Sequence, residues 1–152
     1  MIRTVNLTEA PQYFDNVFES LYREWGEGNP NFWKSWIRSS NRTNGIPATY
    51  VVLSNEHYAG TFSFWNCDLQ SRQDLYPWVG GVVVDPAFRR KGIGLFIQKE
   101  AKRLLREQGI GQAYLFTELD GFYEKTGWIY LGDIYDEKDQ LVRLYELNIK
   151  YL

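Results

Sequence analysis

The side chains that most often carry acid–base, nucleophilic and metal chemistry are nearly missing from this chain. Its 152 residues include one cysteine, Cys67, and one histidine, His57. A lone cysteine excludes an internal disulfide and fits a reducing, cytoplasmic setting. One histidine with one cysteine offers no ligand set of the zinc type, so no metal is expected. Cys67 reads as a small packed strand residue, and His57 as an exposed structural one at a hairpin turn. No apolar run approaches the eighteen or so residues of a membrane span, so no membrane partner is expected. The start "MIRTVNLTEAPQYF" lacks the basic-then-apolar order of a secretory signal. A net charge of −2 excludes a generally basic, nucleic-acid-binding surface. Any attraction for anions must therefore be local. Repeats, low-complexity tracts and Pro/Ser-rich linkers are also absent, so residues 1–152 read as a single domain.

What the chain does have is aromatic weight, at 17%. Most of these rings belong in a core. "IRTVNL" reads as a first strand. Phe14, Val17, Phe18, Leu21 and Trp25 recur at helical spacing in "TEAPQYFDNVFESLYREW". A second helix follows in "NPNFWKSWIRSS", with Pro30 near its start. "ATYVVLSNEHYAGTFSFW" reads as a hairpin turning at "SNEH". "SRQDLYP" is a loop. "WVGGVVV" is a strand whose valine run points to burial on both faces, and whose Gly80 and Gly81 mark a bulge or a close backbone approach. Ile93, Ile97, Ala101, Leu104 and Leu105 form one helix face, ended by Gly109. "QAYLFT" is a strand and "DGFYEKTG" a short helix closed by Gly127. "WIYLGDIYD" and "QLVRLYELNI" are closing strands. The order β-α-α-β-β-β-α-β-α-β-β predicts an α/β (α+β) layered domain, with a mixed central sheet and helices on both faces.

One stretch conflicts with ordinary helix chemistry. In "DPAFRRKGIGLFIQKEAKRLL" a helix begins beside Arg89, Arg90 and Lys91, although the positive end of a helix dipole favours acidic neighbours. A bound polyanion removes the conflict. Gly92 and Gly94 let a ligand approach the backbone, and the free N–H groups of a helix start point at it. A dinucleotide fingerprint is excluded because Ile97 replaces its third glycine, and no G-x-x-x-x-G-K-S/T occurs. What remains is R-x-x-G-x-G on Arg89, Gly92 and Gly94.

"VVVDPAFRRKGIG" resembles the acetyl-CoA signature of the GNAT superfamily of N-acetyltransferases. The downstream "FYEKTGW" is similar to that superfamily's F-Y-x-x-x-G-F/W hallmark, and the element order resembles its fold across essentially the whole chain. The resemblance implies acetyl-CoA as co-substrate and several residue roles. Main chain of Val82, Val83 and Val84 would pair with the pantetheine arm like an added strand. Amides of Arg90, Lys91, Gly92, Ile93 and Gly94, aided by Arg89, would hold the pyrophosphate. The Val82 amide would polarise the thioester carbonyl. Tyr123 would give the leaving thiolate a proton, the alternative being that it only packs on pantetheine. Lys99, Lys102, Arg103 and Arg106 read as a solvated helix face, or touch the nucleotide's 3′-phosphate at most.

The base is open. Where many members of the superfamily carry a glutamate, this chain has Trp78, Val79, Gly80 and Gly81. Asp74 is the nearest upstream carboxylate and serves as base or amine anchor, or else is a solvated loop residue. Glu118, Asp120 and water are alternatives. Glu24, Trp25, Trp65 and Asp74 are the acceptor-binding candidates, because carboxylates mixed with tryptophan suit a cationic amine. "DLYPWVGGVVVDP" also resembles small members related to aminoglycoside 6′-N-acetyltransferases. The expected partner is thus a small-molecule amine. A non-catalytic acyl-CoA sensor and a protein-directed acetyltransferase are the competing readings. A homodimer through the C-terminal strands, with "QLVRLYELNIKYL" as an edge, is a further expectation.

Overall fold

The computed structural model describes residues 1–149. Seven strands form a sheet in the order β1-β2-β3-β4-β5-β7-β6. They are β1 (Ile2–Asn6), β2 (Ala48–Ser54), β3 (His57–Trp65), β4 (Trp78–Val84), β5 (Gln112–Thr117), β6 (Ile129–Tyr135) and β7 (Leu141–Asn148). Among the described residues three α-helices accompany them: α1 (Phe14–Trp25), α2 (Pro30–Ser39) and α3 (Ile93–Glu107). β4 and β5 run parallel with Trp78 opposite Tyr114, while β1–β2, β2–β3, β5–β7 and β6–β7 are antiparallel. The expected mixed α/β sheet is present.

The chain divides into two compact units, Met1–Phe64 with Gly81–Ile97, and Trp65–Gly80 with Gln98 onward. In the first, Leu7, Val17, Leu21, Ile37, Val51, Leu53 and Val83 form a buried cluster. The helical stripe read in α1 supplies Val17 and Leu21, with Phe14 and Phe18 packed against the cluster. In the second, Leu69, Trp78 and Leu144 are buried together, with Tyr114, Phe116 and Ile134 around them.

Local chemistry accounts for the boundaries. α1 starts at Phe14 rather than Thr8, because Pro11 holds Ala10 outside the helical region at φ −139° and the chain makes two 3-10 turns first. Pro30 occupies the first turn of α2, where its missing N–H is harmless. Asn55 and Glu56 both have positive φ, 49° and 66°, the two-residue turn whose twist suits a hairpin. α3 closes with Gly109 at φ +74°, its N–H on the Arg106 carbonyl and the Ile110 N–H on the Leu105 carbonyl.

Four expectations are corrected. The short helix read in "DGFYEKTG" is a single 3-10 turn, Glu124–Thr126, although Gly127 does close it at φ +94°. Cys67 lies in the loop after β3 rather than in a strand, with its thiol on the Leu69 carbonyl at 3.5 Å. The valine run of β4 is buried only at Val83, with Val82 and Val84 half-buried. The strand in "QLVRLYELNIKYL" is not an edge: β7 lies between β5 and β6, and β6 is the terminal strand. Lys150–Leu152 of that stretch lie outside the described residues. His57 is exposed, as expected.

Candidate active site

The first unit contains the whole of the predicted anion cradle. Asp85 caps the turn after β4, its Oδ2 accepting from the Ala87 N–H at 3.1 Å. The chain then passes Arg89 in extended conformation and Arg90 at φ +64°, and reaches Gly92 at φ +82°. Gly92 is the residue whose carbonyl accepts the first helical bond of α3, from the Phe96 N–H at 3.0 Å. The amides that follow it therefore lack intrahelical partners. No acidic side chain occupies the first turn of α3. A Cβ built on Gly92 would meet nothing within 4 Å, so the ground over this helix start is open. Arg90 and Lys91 are exposed beside it, Lys91 lying over the Phe88 ring at 5.4 Å. Open ground, free amides and cations suit a phosphate-bearing ligand.

Arg89 is already engaged. Its Nη2 donates to Glu24 Oε1 at 3.4 Å, and its Nε to the Val84 carbonyl at 3.3 Å. Glu24, read from sequence as an acceptor contact, is thus the counter-charge of the cradle arginine. Next to it in sequence, Trp25 is 45% exposed and stacks on Trp33 at 6.5 Å, with Phe32 edge-on to Trp33. Trp25 and Phe32 are exposed, while Trp33 is half-buried and packs against the core cluster of the unit. At Gly60 of β3, a side chain would lie 2.7 Å from the Val83 carbonyl, so the close approach there requires glycine.

The second unit carries Tyr123 and Asp74. Tyr123 is buried, and its ring lies edge-on to Phe122 and Trp128 at 4.9 Å and 6.1 Å. Its hydroxyl bonds to no described residue, and burial pushes the phenol up to about 12. It stays protonated at every working pH, as a proton donor must. Trp128 Nε1 donates to Gln98 Oε1 at 2.8 Å, and this buried bond holds the wall behind Tyr123. Sequence reasoning gave Gln98 no role, since a glutamine on a helix signals nothing by itself.

Asp74 is exposed and gripped by Arg72, whose Nε and Nη2 donate to its two oxygens at 2.9 Å each. That pairing holds its carboxyl below the usual aspartate range, which weakens it as a proton acceptor. Glu118 and Asp120 are exposed, Asp120 lying 3.5 Å from Arg143. Trp65 is buried and its ring packs on Gly80. Arg103 bonds to Glu100 and Glu107 along α3, the solvated helix face expected of it. Among the described residues there is no cluster of side chains that could hold a metal, and no helix is long and apolar enough to cross a membrane.

Comparison with known proteins follows this geometry. A similar fold occurs in an aminoglycoside 6′-N-acetyltransferase solved with coenzyme A, at 15% identity and a TM-score of 0.76 over 98% of this chain and 97% of that one. It also occurs in the aminoglycoside 6′-N-acetyltransferase of Enterococcus faecium, at 15% identity and 0.72 over 98% and 97%. A spermidine N-acetyltransferase variant of Vibrio cholerae matches at 14% identity and 0.71 over 100% and 97%. At such identities the likeness speaks for the fold. No curated protein sequence matches the chain. The model of the acetyltransferase (GNAT) family matches residues 10–128, most of the length and both sequence motifs. The chain therefore belongs to the acetyltransferase (GNAT) family.

Proposed function

We propose that the protein, acting as one domain, transfers an acetyl group from acetyl-CoA to a primary amine of a small cationic acceptor, by direct attack in a ternary complex. The observation that carries the reading is the open start of α3, where nothing lies within 4 Å over Gly92 and exposed Arg90 and Lys91 stand beside amides with no intrahelical partner. Acetyl-CoA supplies the thioester. Arg90, Lys91, Gly92, Ile93 and Gly94 hold its pyrophosphate, and Arg89 turns from Glu24 to a phosphate oxygen. Main chain of Val82, Val83 and Val84 binds the pantetheine arm, and the Val82 amide polarises the carbonyl. Tyr123 protonates the leaving sulfur.

The acceptor reading rests on the aromatic rings of Trp25, Phe32 and Trp33, which suit a cation. Similar folds named for aminoglycoside and spermidine acetylation point the same way. Asp74 contributes negative field rather than proton uptake, and Trp65 backs the strand at Gly80. The exposed apolar residues of β6, Ile129, Leu131 and Tyr135, are the surface through which a homodimer would form.

The test is calorimetric titration of acetyl-CoA into the wild type and Arg89→Ala, followed by thiol release with a panel of amines. Micromolar binding, weakened at least tenfold in the variant, and turnover of a polyamine or aminoglycoside are expected. Binding without turnover would favour a non-catalytic acyl-CoA sensor. Turnover of peptide amines alone would move the acceptor to protein.

A further inference from the structure

A carboxylate without a partner lies against β4. Asp68 sits in the loop after β3, and a Cβ built on Gly80 would lie 2.7 Å from its Oδ2 and 2.5 Å from the Trp65 ring. Gly80 is glycine because an indole and a carboxylate already fill the place of its side chain. Asp68 makes no hydrogen bond or ion pair with any described residue. It therefore differs from Glu24, Asp74 and Asp120, whose carboxylates face arginines.

The surroundings tune it as a base. Burial pushes the carboxyl up to about 7, and Glu137 in the β6–β7 turn adds to the shift. Its neighbour Cys67 points its thiol at the Leu69 carbonyl. A carboxyl near neutrality accepts a proton far more readily than an exposed aspartate, yet is still half ionised at pH 7.

Resting on the acetyltransferase reading above, we propose that Asp68 is the group that takes the proton from the attacking amine, held in place by the Trp65 indole against Gly80. The acceptor's ammonium gives one proton to the Asp68 carboxylate. The freed lone pair forms the C–N bond at the thioester carbonyl carbon, and the C–S bond breaks. The sulfur takes a proton from the Tyr123 phenol. A second proton from the nitrogen restores that phenol, directly or through water. Asp68 then releases its proton to solvent. One ammonium and one thioester become one amide, one thiol and one proton.

The experiment is the pH profile of kcat/KM for spermidine and for kanamycin, in the wild type, Asp68→Asn and Asp68→Glu, beside calorimetric Kd values for acetyl-CoA. The wild type should rise to a plateau with a midpoint near pH 7. Asp68→Asn should lose about 100-fold at pH 7, keep its acetyl-CoA Kd, and climb without a plateau towards the amine's own pKa. Its deficit should shrink to less than about tenfold near pH 9.5, because solution then supplies free amine. Asp68→Glu should recover at least about tenfold of the loss.

A wild type that turns over without a limb near 7, or an Asp68→Asn enzyme with an unchanged profile, would overturn Asp68 and leave the acetyltransferase standing. A wild type that binds acetyl-CoA but acetylates neither these amines nor a wider panel would bring down both readings. Should Asp68→Asn fail to fold, the wild-type limb and the Asp68→Glu profile decide.

Discussion

At the scale of single residues, two pairings set the site and each can be read out. Glu24 is a cation's partner on the surface, and an exposed ion pair is worth about 0–1 kcal/mol. Glu24→Gln should therefore leave stability nearly unchanged while releasing Arg89 for a phosphate. The expected result is an acetyl-CoA Kd up to about fivefold lower, measured by calorimetry at low salt. A weaker Kd would show that Glu24 orients Arg89 rather than competing for it. Trp128 and Gln98 are the opposite case, a bond buried away from the surface. The Gln98 amide nitrogen already lacks a partner among the described residues. Trp128→Phe strands the oxygen as well, which should cost about 1–3 kcal/mol in urea denaturation. Trp128→Phe with Gln98→Leu should regain much of it, since replacing both partners removes the stranded group.

At the scale of elements, the sequence was most informative where the determinant is local. Pro30, the hairpin turn, Gly109 and Gly127 each act within a few residues, and each does what its pattern predicts. The R-x-x-G-x-G pattern likewise placed the start of α3, because backbone freedom at Gly92 and the lack of acidic first-turn residues are readable from composition. The delayed start of α1 and the collapse of "DGFYEKTG" to one turn show the limit. Periodicity marks an apolar face, but Pro11 and the shortness of the segment between Gly121 and Gly127 decide how many turns form. Non-local features were hidden. Gly80 announced a close approach, but nothing in the chain said that Trp65 and Asp68 were what approached. The position of β6 outside β7 was equally invisible. Gly92→Asp tests the element on which the proposed pyrophosphate site rests. A non-glycine residue at φ +82° costs about 1–3 kcal/mol, and a carboxylate there repels phosphate. Melting temperature should fall by a few degrees and acetyl-CoA binding by at least about tenfold. Full binding in a destabilised variant would move the anion site elsewhere.

For the whole molecule, pH couples the proposed chemistry to stability. Asp68 has a folded value near 7 against 3.8 in the unfolded chain. An acid whose folded pKa is raised takes up a proton on folding between those values, so its stabilising contribution is full below about 3.8 and is lost as pH rises to about 7. The exposed pairs have the opposite sign. Arg3 holds Glu56 low by a side-chain hydrogen bond, and Arg72 does the same for Asp74, so their contribution is present above the unfolded values of 4.5 and 3.8 and falls away in acid. The two effects occupy different windows. Above about pH 6 the paired carboxylates are almost wholly ionised in both states, and Asp68 is the group identified here that still titrates. Urea denaturation should therefore show wild-type stability falling from about pH 6 to about pH 7.5, while Asp68→Asn stays flat over that range. A wild-type curve that is flat there as well would mean that the Asp68 carboxylate is solvated and ionised like any surface aspartate. Proton uptake would fall to water, and the acetyltransferase would work best in alkali, where the acceptor arrives already neutral.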